Sequence, residues 1–246
     1  MAAPGTAGIM GRSFLNCFGA VAFVWPVGPD GVTRPAATVN FYQEYDWADE
    51  AMSDAEVAAG LQTVPLYDLP CGLLSLEVTL NGVRMPALLD TGAPTTIVNR
   101  AAAAAAGLVV PAAAAAAAGG GNPGSTGNNN PFAGLLDAFG KGKEAAMADK
   151  GVMVMGAGGK PERLERVDGG EVTLELCTTP ATANSVTVPV RCASVLVGEL
   201  AAFQAGLNLP APSADGRGAP GVLLGLDALM SRPRVVIGTA AGFMQL

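Results

Sequence analysis

Apolar and polar positions alternate most clearly over residues 73–80 (L-L-S-L-E-V-T-L). Leu74, Leu76, Val78 and Leu80 fall on one side, and Ser75, Glu77 and Thr79 on the other. That two-residue period predicts a half-buried strand. Asn81-Gly82 follows, the strongest short hairpin signal, so residues 83–89 are the return strand and deliver Asp90 to a loop. Residues 95–98 are short and β-branched. Asn99 then caps an alanine-rich helix that Gly107 stops. Further on, residues 151–155 and 164–167 read as strands joined by a glycine-rich tip, and Asp168-Gly169-Gly170 as a turn. Residues 171–176 alternate again, 186–197 carry one or two strands, and 199–207 read as a helix. A Pro- and Gly-rich loop over 208–220 leads into the apolar strand 222–224, which ends at Gly225. A short helical turn at 227–230 and closing strands at 235–237 and 243–246 complete the pattern. The expectation is a mainly β chain, a small closed sheet structure with one or two short helices.

Between these regular parts lies a low-complexity stretch, residues 108–150. Positions 111–131 are Ala, Gly, Asn, Pro, Ser and a single Thr, a composition that cannot bury a core, and 132–148 could add a short helix within the same insertion. After Arg100, the run over 101–121 is uncharged but mostly alanine, and Gly107 and Pro111 interrupt it, so no transmembrane helix is expected. Residues 14–27 have the apolar look of a signal-peptide core but lack a small-residue cleavage site and contain Asn16 and Pro26. A β-strand is the preferred reading there, and a cytoplasmic or plastid location is expected over secretion.

Composition narrows the chemistry. The chain has 246 residues, of which half are apolar but only 5% aromatic; 33 Gly and 18 Pro imply many turns. A net charge of −7 without a basic cluster argues against a nucleic-acid surface. There is no histidine, which removes Ser-His-Asp and Cys-His catalysis and histidine-ligated metals. Cys17, Cys71, Cys177 and Cys192 form no C-x-x-C pair. They are expected as free thiols, with a Cys177–Cys192 bridge as the alternative. No metal and no cofactor are expected. Met155-Gly156-Ala157-Gly158-Gly159 lacks the third glycine and helix of a dinucleotide loop, and Gly158-Gly159-Lys160 lacks the Ser/Thr of a phosphate loop.

Carboxylates remain as the chemical resource. Asp90-Thr91-Gly92-Ala93 follows an apolar strand and precedes a β-branched one. Gly92 is expected to supply a conformation closed to other residues, Thr91 a hydroxyl that braces the loop, and Ala93 room for close approach. Far downstream, Val222-Leu223-Leu224-Gly225-Leu226-Asp227-Ala228-Leu229 is an apolar strand, a glycine and a short helix. The pair A-L-L-D-T-G-A and V-L-L-G-L-D-A-L resembles the retropepsin-like aspartic proteases (peptidase A2), especially those of plants and algae.

The resemblance covers residues 71–246 outside the insertion. It implies a retropepsin-like closed β-barrel, the acid protease fold. Asp90 would be the catalytic aspartate and Thr91, Gly92 and Ala93 the loop support. Gly156, Ala157, Gly158 and Gly159 would form the flap, and Leu224 and Gly225 the strand behind the loop. The activity implied is that of an aspartic endopeptidase on a peptide or protein substrate, without cofactor, nucleic acid or membrane. Its second aspartate would come from a homodimer or a tandem domain. Two features depart from the compact viral enzymes: Gly225 lies 135 residues after Asp90 (225 − 90), and Leu226 stands where those enzymes carry Arg.

At the N-terminus, Gly8-Ile9-Met10-Gly11-Arg12-Ser13-Phe14-Leu15 resembles the same apolar-Gly-x-x-x-Leu element, and residues 19–25 parallel 234–237. Residues 1–45 are therefore expected to be the tail of a preceding retropepsin-like domain, with a leader or an unrelated hairpin as the alternative. Residues 46–70 are expected to be an acidic linker. Two other functions compete with catalysis: an inactive retropepsin-like module for dimerisation or peptide binding, and a structural barrel in which D-T-G is chance.

Overall fold

The computed structural model describes residues 11–28, 31–32, 37–45, 62–110, 151–155, 161–168, 172–178, 186–210 and 218–246. The expected flap tip at 156–159, the insertion over 111–150 and residues 46–61 of the expected linker lie outside these.

The hairpin forms where the alternation places it, as β5 (Leu74–Leu80) and β6 (Val83–Leu89), in register from Leu74↔Leu89 to Leu80↔Val83. Asn81 and Gly82 both have positive φ, 47° and 78°, the geometry of a two-residue turn that matches strand twist. Leu76, Val78 and Leu80 are fully buried. Ser75, on the opposite side, is buried as well: β4 (Tyr67–Asp68) pairs along β5, and the Ser75 hydroxyl donates to the Tyr67 carbonyl at 3.3 Å.

Downstream of the hairpin come β7 (Ile97–Val98), β8 (Val152–Met155), β9 (Pro161–Asp168), β10 (Leu174–Cys177), β11 (Thr187–Val190), β12 (Ser194–Val197) and β13 (Val222–Leu224). They join the hairpin in one sheet of order β11-β10-β5-β6-β13-β7-β12-β9-β8. Among the described residues this is an open path from β11 to β8; no pairing joins its ends. A second sheet, of order β2-β1-β14-β15-β3, is built from β1 (Ala20–Val24), β2 (Thr38–Tyr42), β3 (Thr63–Pro65), β14 (Arg234–Gly238) and β15 (Phe243–Gln245). Residues 63–68, within the stretch read as a linker, thus contribute strands to both sheets.

The chain is mainly β, and its helices are α1 (Arg12–Leu15), α2 (Arg100–Ala105), α3 (Ala201–Ala205) and α4 (Leu226–Leu229). Among the described residues four short helices stand where one or two were expected: α2, α3 and α4 fall on stretches read as helical, and α1 is a single turn that a periodicity window cannot resolve. Asn99 caps α2 as predicted, accepting from the Ala102 N–H at 2.8 Å. The main core gathers Leu76, Val78, Leu80, Leu174, Leu176, Leu224, Leu229, Val235 and Trp25, so it spans both sheets. All four cysteines are free thiols; there is no Cys177–Cys192 bridge. No helix among the described residues is long and apolar enough to cross a membrane.

Candidate active site

The site is made by an insertion in strand order. β6 and β7 are consecutive in sequence, yet β13 lies between them, parallel to β6 (Leu89↔Leu224) and antiparallel to β7 (Leu223↔Ile97). The chain leaving β6 must therefore cross the end of β13 to reach β7. Asp90 to Thr96 is that crossing.

Several backbone bonds clasp the crossing to β13. The Asp90 N–H donates to the Leu224 carbonyl at 3.0 Å, and the Leu226 N–H to the Ala93 carbonyl at 2.8 Å. The Ala93 N–H closes the turn onto the Asp90 carbonyl at 3.2 Å. Gly225 sits directly under the loop. A Cβ there would come 2.6 Å from the Thr95 carbonyl carbon and 2.8 Å from Thr96 N, so only glycine leaves room.

The Asp90 side chain is half-buried at the mouth of this loop, and its Oδ1 accepts from the Gly92 N–H at 2.9 Å. Gly92 is not among the residues with positive φ. The expected conformation closed to other residues is not adopted in the left-handed region; a Cβ there would lie 3.1 Å from Asp90 Oδ1, a tight contact. Ala93 packs against the cluster of Ile97, Leu164 and Phe203. Leu224 is fully buried and fixes Asp90 through its carbonyl. Thr91 is half-buried. The flap residues Gly156, Ala157, Gly158 and Gly159 lie outside the described residues.

Two supporting residues had no role in the sequence reading. Asp227, in the first turn of α4, accepts from the Thr96 N–H at 2.9 Å, from the Thr96 hydroxyl at 2.8 Å and from the Ala228 N–H at 2.8 Å. The Thr96 hydroxyl in turn accepts from the Gly225 N–H at 3.1 Å. Thr96 thereby locks the loop exit to the start of α4. Burial pushes the Asp227 carboxyl above its ordinary pKa, against the pull of these hydrogen bonds. Cys192 lies 3.7 Å from the Thr96 hydroxyl, and burial pushes its thiol up to about 12, which keeps it protonated and unreactive. The available signal for this pair was Asp227 just inside a helix start, where a carboxylate satisfies free N–H groups.

The arrangement presents one carboxylate on a tightly held, partly open bend. Among the described residues no group of three or more acidic or cysteine side chains gathers as a metal site would require.

A crystal structure of a retropepsin-like aspartic protease from Rickettsia conorii aligns over 76% of this chain and 91% of its own, at 12% identity and a TM-score of 0.34. No curated protein sequence matches the chain. Residues 76–133, which begin in β5 and contain the whole Asp90 loop, match the sequence family described as Aspartyl protease.

Proposed function

We propose that the chain is the Asp90-bearing part of an aspartic endopeptidase, hydrolysing peptide bonds with a water activated between Asp90 and a second aspartate. The observation that carries this reading is the Asp90 loop itself: a half-buried carboxylate on a D-T-G bend, clasped to β13 over Gly225. The family match over residues 76–133 supports it. Two carboxylates brought together cannot both ionise, so the pair holds one proton. The ionised member takes a proton from water as its oxygen attacks the peptide carbonyl, and the protonated member gives its proton to the carbonyl oxygen. Collapse of the tetrahedral intermediate breaks the C–N bond, with a proton delivered to the leaving nitrogen and the shared proton restored. Residues 156–159 would form a flap that excludes water from the bound peptide, and the sheets would complete a barrel around it.

The chain contains one D-T-G, and that observation favours a second reading, an inactive module for dimerisation or peptide binding. Inhibition separates the two. Protein isolated from its own cells should cleave peptides best at acidic pH and be blocked by a statine-containing peptide, which mimics the tetrahedral intermediate. Cleavage insensitive to statine would contradict the proposal, and absence of cleavage would favour the inactive module.

A further inference from the structure

The N-terminal unit α1–β1 repeats the unit α4–β14 at a constant offset of 214 residues (11 to 225, 12 to 226, 20 to 234). The likeness extends to backbone detail. The helix caps Gly11 and Gly225 have φ/ψ of −79°/170° and −88°/178°, and the C-caps Asn16 and Met230 have −68°/−8° and −64°/−9°. Cys17 donates to Phe14 O and Phe18 to Leu15 O. Their counterparts Ser231 and Arg232 donate to Ala228 O and Leu229 O, 214 residues later in each case.

β1 and β14 pair antiparallel, and Ala22 lies opposite Val236, its own counterpart under the offset. Val21↔Ile237 and Phe23↔Val235 exchange places about that point. A local twofold axis therefore passes between Ala22 and Val236. β2 and β15 flank it on either side.

The two units differ in what covers them. On α4, Ala228 and Leu229 are fully buried and the 93–96 loop fills the space over Gly225. On α1, no residue is buried and Phe14 is 44% exposed. A Cβ on Gly11 would meet nothing within 4 Å among the described residues.

We infer that α1–β1 is the twofold mate of α4–β14, and that the occupant of its open face is a second D-T-G-bearing half of the same architecture. That half, and not a second copy of this domain paired through β14, supplies the aspartate opposite Asp90. A second copy would have to place its β14 where β1 already lies. The missing half needs no helix and closing strand of its own, because α1–β1 provides them. The sequence agrees: Gly8-Ile9-Met10 precede Gly11 as Val222-Leu223-Leu224 precede Gly225. The identity of the second aspartate's source rests on the protease reading; the twofold relation and the occupied edge do not.

Cysteine cross-linking tests this without catalysis. The Trp25 N–H donates to the Pro233 carbonyl across the same ladder. Counting back in twos makes Ala22↔Val236 a non-hydrogen-bonded pair, with Cα atoms about 4.5 Å apart and so within disulfide reach. In a Cys17→Ser/Cys71→Ser background, Ala22→Cys/Val236→Cys should close an intrachain disulfide at monomer mass. Val236→Cys alone should give no disulfide-linked dimer. A Val236→Cys dimer, or failure of the double variant to link within one chain, would overturn the inference. Phe14→Cys in the same background should react with a maleimide in the purified chain and be protected in the protein isolated from its own cells; equal labelling would overturn the assignment of the open face. An inactive protein that passes these tests would leave the twofold relation intact and remove only the protease reading.

Discussion

Replacing Thr96 by valine removes a hydroxyl while keeping the shape of the side chain. Three bonds disappear: the 2.8 Å bond to Asp227 Oδ1, the 3.1 Å bond from the Gly225 N–H and the weak 3.7 Å bond from the Cys192 thiol. Thr96 is fully buried and Gly225 is buried, so water cannot replace the lost partner of the Gly225 N–H. Leaving a buried donor unsatisfied costs about 1–3 kcal/mol, and losing a bond to a carboxylate adds about 1 kcal/mol or more. Asp227 keeps its bonds to the Thr96 and Ala228 N–H groups, which limits the second term. The expected destabilisation is about 2–4 kcal/mol, a large share of the roughly 5–15 kcal/mol that holds a domain together. Urea unfolding followed by circular dichroism reads it as a lower midpoint at unchanged slope. Thr96→Ser keeps the hydroxyl and should lose no more than about 1 kcal/mol, the worth of a buried methyl. A Thr96→Val loss below about 0.5 kcal/mol, or one no larger than that of Thr96→Ser, would refute the role of Thr96 as the joint between loop and helix.

Other expectations follow from the same site. Gly225→Ala sets a methyl against the Thr95 and Thr96 backbone at 2.6–2.8 Å, contacts that no side-chain rotation can relieve. It should cost at least about 1–3 kcal/mol in urea unfolding and lower peptide cleavage by displacing the Asp90 loop. The half-buried Asp227 has a folded-state pKa above its ordinary 3.8, so the folded protein binds the extra proton between those two values. Stability from this group is present below the ordinary value and is lost as pH rises through the raised one. Wild type minus Asp227→Asn stability should therefore fall with rising pH in that window; a difference that rises would contradict the burial argument.

What could be read from the chain follows the range of the interactions. Asn81-Gly82 and Asn99 act on neighbours within three residues, so their turn and cap were visible in the sequence. Gly225 was visible because its apolar strand and helix are contiguous with it. The Thr96–Asp227 bond was not, because it joins residues 131 positions apart and depends on β13 entering between β6 and β7. The burial of Ser75 and the strands within 63–68 have the same origin: they exist only through pairing with β5 and β15. At Gly92 the sequence suggested an unusual backbone conformation, yet φ is not positive there, and only coordinates reveal the tight 3.1 Å approach that a Cβ would make to Asp90 Oδ1.

The decisive quantity is the rate of peptide hydrolysis by protein isolated from its own cells, compared between wild type and Asp90→Asn at acidic pH. Asparagine keeps an oxygen for the Gly92 N–H bond but cannot take up and release the proton that the pair must share. The account predicts that hydrolysis falls by about 10²-fold or more while urea stability changes by less than about 1 kcal/mol. Hydrolysis undiminished in Asp90→Asn would contradict it.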